Sequence, residues 1–356
     1  MSQTLRFPAE WEPQSAVLIA WPTAQTDWAE RLEAVENAYI ALVGAVTRFQ
    51  PVIIVVADED VEAYAEARLR SNRVDMTQVR FATAPYNDTW LRDSGPITLT
   101  AAAAGSAERT NSPTFTLLDF RFTGWGGKFD ASDDDRLIER LHAQGVFGDA
   151  ARVPIDFALE GGAIETDGAG TLLTTWQCLS QRHPGKSQEE LSALLRGWLK
   201  QERVLWLQHG YLQGDDTDAH IDTLARFAPN DAIVFQACDD PGDPHHPELQ
   251  AMAAELAALR TSGGAPYRLF PLPWPQPIID RGRRLAASYA NFLIVNGAVL
   301  MPAYGDPADA SAVEVMQSAF PDRQIVQVDC RPIIWQNGSL HCLTMQLPRG
   351  VADGVR

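Results

Sequence analysis

Residues 292–303 read FLIVNGAVLMPA. Two apolar runs flank Asn296-Gly297, the dipeptide that marks a two-residue hairpin with a type I′ turn. An antiparallel pair is therefore predicted here, and it decides the fold class. Elsewhere the chain alternates strands with helices. Residues 16–21 and 51–57 read as strands, and the stretch between them, 28–49, as a long amphipathic helix. A helix over 61–69 and a strand over 79–84 follow. Further helices are predicted over 134–142, 188–200, 247–259 and 312–319, with Ser187 and Glu190 at capping-box spacing. Alternation alone would suggest a doubly wound parallel sheet. The hairpins interrupt it, and no G-x-G-x-x-G or G-x-x-x-x-G-K-[ST] follows a strand. The class is α/β with hairpins built into its units. The low-complexity stretch 101–112 reads as a surface hairpin loop. No Pro/Gly/Ser-rich linker divides the chain, so residues 1–356 are expected to form a single domain.

Composition bounds the function. The 356 residues are 46% hydrophobic and 21% charged, which supports a full core and excludes bulk disorder. Lys+Arg number 29 against 46 Asp+Glu, a net charge of −17 that repels phosphate backbones and argues against a nucleic-acid partner. No apolar run reaches 18 residues and no signal-peptide pattern is seen, so neither a membrane partner nor export is expected. Cys178, Cys238, Cys330 and Cys342 form no CxxC pair, which suits free thiols in a reducing cytoplasm.

Four segments are too rich in polar groups for loops that only turn the chain: NDTWLRDSGP (87–96), LEGG (159–162), GDDTDAHID (214–222) and NGSLHC (337–342). Cys342, after a glycine turn and before the strand pattern LTMQLP, reads either as a cleft-facing nucleophile or as a buried core thiol. His220 precedes IDTLARF. In a strand, His220 and Asp222 would share a face, and a His beside a carboxylate with a Cys elsewhere supplies thiol catalysis. A metal site is the competing reading, but no second histidine sits at i+4 and the zinc-deaminase pairs are absent. Asp93, beside Trp90, reads as an exposed acid suited to a planar cation, or as half of a surface pair with Arg92. Glu160 precedes Gly161-Gly162, where paired glycines permit close backbone approach; a plain turn acid is the alternative. His245-His246 reads as a solvated loop.

Taken together, these segments resemble the agmatine deiminase and bacterial peptidyl-arginine deiminase family of the guanidino-group-modifying superfamily. FPAEWEPQSAVLIAWP, NDTWLRDSGP, FTGWGGKFD, EGGAIETDGAGTLLTT, GDDTDAHID, SYANFLIVNGAVLMPAYGDPADA and NGSLHC follow one another in the family's order. The resemblance implies a five-fold pseudosymmetric α/β propeller (pentein-type) of β-β-α-β units around a central active-site cleft. It implies Cys342 as nucleophile and His220 as general acid/base. Asp93 and Asp222 would grip the guanidinium, Glu160 would support guanidinium and histidine, and Trp90 would line the pocket. No metal and no cofactor are implied. The expected partner is a small cationic guanidino substrate, agmatine, hydrolysed to N-carbamoylputrescine and ammonia through a thiouronium on cysteine. Arginine or peptidyl-arginine is the alternative substrate, and a non-catalytic binding module of the same fold is the alternative class. A homodimer is a candidate assembly. Two departures stand out: Ala219 where the family has glycine in TDGHID, and Asn337 with Leu340 in the cysteine motif. Alanine is unfavourable at positive φ, whereas asparagine tolerates it.

Overall fold

The computed structural model describes residues 5–101 and 115–352, so most of the predicted loop 101–112 lies outside the described residues. Five sheets repeat one pattern: a first strand antiparallel to a second, which runs parallel to a third. The predicted hairpin is the start of one of them. Leu293–Val295 pairs antiparallel with Ala298–Ala303, which pairs parallel with Gln324–Asp329. The same order recurs in Ile97–Ala101, Phe115–Arg121 and Ala151–Ala158. It recurs in Ile164–Thr166, Thr171–Thr175 and Arg203–Leu207, and again in Ala225–Ala228, Ala232–Gln236 and Arg268–Leu272. In the remaining sheet, Met345–Pro348 lies antiparallel to Gln14–Ala20, which runs parallel to Val52–Val56.

Each parallel step needs a crossover, and a helix supplies it. Leu32–Val46, Leu137–Ala143, Gln188–Leu199, His246–Ala258 and Ala308–Ala319 bridge the second and third strands of their sheets. The first is shorter than the predicted 28–49, because residues 29–31 form a separate 3₁₀ turn. The capping box at Ser187 and Glu190 is present. The turn at 296–297 departs from type I′, since only Gly297 takes positive φ (+78°). Asn296 is instead held by distant groups: its amide donates to the Gln14 carbonyl and its side-chain oxygen accepts from the Gln14 N–H.

One feature of this repeat builds the site. The turn entering the first strand of each sheet carries a polar side chain inward. Asp93 precedes the strand at 97, Glu160 that at 164, and His220 with Asp222 that at 225. Asn291 precedes the strand at 293 and Cys342 that at 345. Below these turns lies a layer of buried charge. The guanidinium of Arg226, fully enclosed, donates to Glu165 (2.6 Å), Glu10 (2.6 Å) and the Phe292 carbonyl (2.8 Å). Glu10 also accepts from the Ile294 N–H at 2.7 Å and contacts His341 Nε2 at 2.8 Å. Removing one partner of such a network leaves buried charge uncompensated, at about 3–5 kcal/mol. Arg226→Met is therefore expected to lower unfolding free energy in urea by about that amount. Arg70→Met, which breaks the exposed Arg70–Glu66 pair, should change it by less than about 1 kcal/mol.

Candidate active site

Cys342 lies in the 3₁₀ turn His341–Leu343 and is 3% exposed. Its Sγ sits 3.6 Å from Asp222 Oδ2 and 3.2 Å from the Asn291 amide nitrogen. His220 and Asp222 do lie side by side, but not for the predicted reason. Ile221–Thr223 is a 3₁₀ turn and the strand begins only at Ala225. His341 Nδ1 anchors Asp222 Oδ2 at 2.8 Å, while Asp222 Oδ1 makes no hydrogen bond to any described residue.

Asp93 is buried rather than exposed, and Arg92 does not pair with it. Arg92 runs the other way, to the Gln346 side chain (2.7 Å) and toward Glu10 (3.8 Å). Asp93 Oδ1 accepts from the Gly162 N–H (3.0 Å) and Oδ2 from Trp125 Nε1 (2.9 Å). Gly162 is where the predicted close approach occurs: a Cβ there would stand 2.6 Å from His220 Nδ1 and 2.7 Å from Asp93 Oδ1. The His220 ring lies between two carboxylates, 3.6 Å from Asp93 and 3.7 Å from Glu160. Trp90 lines the cleft above, so all six predicted residues come together.

Several contributors carried no sequence signal. Arg182, at the end of the helix Trp176–Arg182, donates to Glu160 (2.7 Å), Asp218 (2.6 Å) and the Thr217 carbonyl (2.9 Å). Cys178, on the same helix and outside every motif, puts its sulfur within 4.8 Å of the Glu160 and His220 ligand atoms. Asn291, Trp125 and His341 lay inside quoted motifs, but residue type alone gave them no role. His245 is not solvated: it is buried, with Nδ1 against Asp243 at 2.7 Å.

Both departures from the family pattern fall on left-handed backbone. Asn337 has φ +77° and Ala219 φ +69°. For alanine this costs about 1–2 kcal/mol. The Ala219 peptide is held on both sides, its N–H by Asp215 (2.7 Å) and its carbonyl by Thr175 (2.7 Å).

Burial is the largest influence on every charge here. It pushes Asp93 up to about 6, although His220 opposes it. It would lower His220, but Asp93, Cys178 and Glu160 more than offset that and hold the imidazole protonated. It would raise Glu160 and Asp222, yet His220 and Arg182 keep the first ionised and His341 the second. Cys342 is raised well above the usual thiol range by burial, then by Asp222 and Asp93. The site at rest is a thiol, an imidazolium and three carboxylates.

Cys342, Asp93, Trp90 and Trp125 open onto a cleft of about 610 Å³. Among the described residues, seven acidic side chains line it against one cation, Arg283, whose guanidinium is engaged by Asn337 and the Trp335 carbonyl. Lys128 is turned to Asp218 at 2.7 Å, Arg281 to Glu30 at 2.9 Å and Arg284 to Asp243 at 2.7 Å.

The chain belongs to the Porphyromonas-type peptidyl-arginine deiminase family, whose model matches residues 6–348. It is 32% identical over 367 residues to the agmatine deiminase of Stutzerimonas stutzeri, covering 96% of this chain and 95% of that one. A cysteine-to-serine variant of C. jejuni agmatine deiminase, solved with substrate bound, is similar at TM-score 0.87 and 31% identity, covering 99% of this chain and 98% of that one. A Porphyromonas gingivalis structure provisionally named an arginine deiminase matches at TM-score 0.86 and 44% identity, covering 98% and 100%. No helix among the described residues is long and apolar enough to cross a membrane.

Asp93 holds a cation only when ionised. For a cationic substrate, kcat/KM is expected to fall as pH drops through about 6, the value to which burial brings this carboxyl. A profile flat down to pH of about 5 would remove Asp93 as the cation's partner.

Proposed function

We propose that this protein hydrolyses the guanidinium of agmatine to N-carbamoylputrescine and ammonia. The observation that carries the reading is the meeting of Asp222, His220 and Glu160 directly behind Cys342 and Asp93, which line the cleft. A guanidinium bound between Asp93 and Asp222 needs no metal to become electrophilic, because charge-assisted bonds hold its carbon against the sulfur. Its positive charge also offsets the carboxylates that keep Cys342 protonated, so substrate binding promotes loss of the thiol proton to solvent. The thiolate then bonds to the guanidinium carbon. His220, an imidazolium at rest, gives its proton to the leaving nitrogen, the C–N bond breaks and ammonia departs. This leaves an S-alkylthiouronium. Neutral His220 takes a proton from water, the hydroxide bonds to the carbon, and C–S cleavage releases the O-protonated urea; its proton passes to the departing sulfur, which restores thiol and imidazolium. Glu160, locked by Arg182, keeps the imidazole charged and oriented.

The substrate choice rests on the far end of the ligand. Agmatine carries a second cation and arginine a carboxylate. Seven lining acidic side chains favour the former, and the one lining cation among the described residues is already bonded. The family description and the 44% identical structure are what favour an arginine or peptidyl-arginine substrate instead. For the fold, the five repeated sheets support blades of a five-fold pseudosymmetric propeller in one domain.

Ammonia release from agmatine, free arginine and a capped arginine peptide tests both levels. Agmatine should lead in kcat/KM by at least about 10²-fold, since arginine's carboxylate would meet no free partner. Cys342→Ala should lose about 10³-fold or more while still binding substrate. Equal use of arginine would overturn the substrate, and near-normal turnover by the variant would overturn the nucleophile.

Glu160, Cys178 and His220 also form a set of oxygen, sulfur and nitrogen donors within 4.8 Å of one another. We read it as the acid/base cluster, so prolonged chelation should leave activity intact. Loss of activity that a divalent ion restores would make it a metal site instead.

A further inference from the structure

Residues 124–127 make an unusual excursion. Gly124, Trp125, Gly126 and Gly127 all take positive φ, at +61°, +56°, +85° and +84°. Three of the four are glycine, for which this backbone is unstrained; a bulky side chain at such an angle is an outlier that asks for a cause. The cause is visible in where the indole goes. Trp125 is 8% exposed and lines the cleft beside Asp93 and Cys342. Phe122 and Phe129 meet its ring edge-on, at centroid distances of 5.1 and 5.5 Å and interplanar angles of 89°. Held between them, the indole aims its single donor at Asp93 Oδ2, 2.9 Å away. The turn is itself pinned. Gly126 N–H donates to Thr123 Oγ1 at 3.1 Å, and Lys128 Nζ bonds to Asp218 at 2.7 Å.

We infer that Trp125 is a positioning residue for substrate: its indole N–H fixes the plane of the Asp93 carboxylate, and its ring walls the slot that the guanidinium enters. The inference deepens the deiminase reading and rests on it. Asp93 is a short side chain with two donors from two loops, Gly162 below and Trp125 above. With only one of them, the carboxylate would turn about its last bond and present its charge out of plane to a planar cation, for which orientation matters as much as distance. The other groups facing Asp93 are His220, Asp222, Glu160 and Cys342. Of these only His220 attracts it, at 3.6 Å and without a hydrogen bond, so none replaces the indole.

Trp125→Phe keeps a ring between Phe122 and Phe129 and deletes the donor. In the Cys342→Ala background, calorimetric affinity for agmatine should fall about 10-fold or more, as for the loss of a hydrogen bond to a charged group. In the otherwise intact enzyme, the acid limb of kcat/KM should move above its position near pH 6, because the donor stabilises the ionised carboxylate. Tm and far-UV circular dichroism should change little. Phe129→Leu, which loosens the packing and spares the donor, should leave the limb in place. Unchanged affinity and limb in Trp125→Phe would overturn the inference, as would a loss uniform across pH that Phe129→Leu reproduces. The binding arm does not need turnover: if the wild type releases no ammonia from any guanidino compound, the deiminase reading fails separately, whatever the calorimetry shows.

Discussion

The guanidinium of Arg226 sits where water cannot reach it, and the rest of the molecule is arranged around that fact. Burying an ion costs several kcal/mol unless every donor is matched. Here the match comes from three separated parts of the chain: Glu165 from one sheet, the Phe292 carbonyl from the entry to another, and Glu10 from the N-terminal segment. Burial pushes Glu165 up to about 7, while Arg226 and His341 hold Glu10 well below the carboxylate range against the same burial. The two acids are chemically alike and share Arg226 and Arg92; they behave differently because Glu10 also has His341, whereas Glu165 meets the negative charge of Glu10.

The layer continues upward without a break. Glu10 contacts His341, His341 contacts Asp222, and Asp222 lies against Cys342. Each step replaces a freely rotating side chain with one held at both ends. Asp222 consequently spends one oxygen on the scaffold and leaves the other without a hydrogen bond to any described residue. Such pre-set charge lowers the reorganisation needed when a cation arrives. The same arrangement keeps the sulfur protonated in the empty cleft, which limits unwanted reactions of the thiol.

Much of this was legible in the sequence where physics acts locally. Strand and helix positions followed from period and caps, as at Ser187 and Glu190. The six candidate residues were found because polar groups clustered beside glycine. What was not legible depends on contacts across the fold. Asn296-Gly297 promised a type I′ turn, but side-chain bonds from Asn296 to Gln14 set a different one. His220 and Asp222 are neighbours through a 3₁₀ turn, which two-residue spacing cannot distinguish from a strand. Asp93 looked exposed because nothing in NDTWLRDSGP announces that Trp125 and Gly162 will enclose it. Arg182 and Cys178 sit in an ordinary helix, WQCLSQR, whose inward face becomes chemical only when another sheet's turn lands on it.

The strand Met345–Pro348 pairs with Gln14–Ala20, more than three hundred residues away in sequence. Cys342 lies just before that strand, so its sulfur takes its place only when this long-range pairing forms. The other four repeated sheets join strands much nearer in sequence, but this one waits for residues 14–20 and 345–348 to meet. Pairing over so long a separation is slow relative to local helix and hairpin formation. Docking of the final strand therefore completes the fold and delivers the sulfur to the carboxylates in one event. Until that pairing forms, Asp93, Glu160 and His220 stand without the Cys342 sulfur, and the assembled cluster is a built-in report that the two distant segments have met.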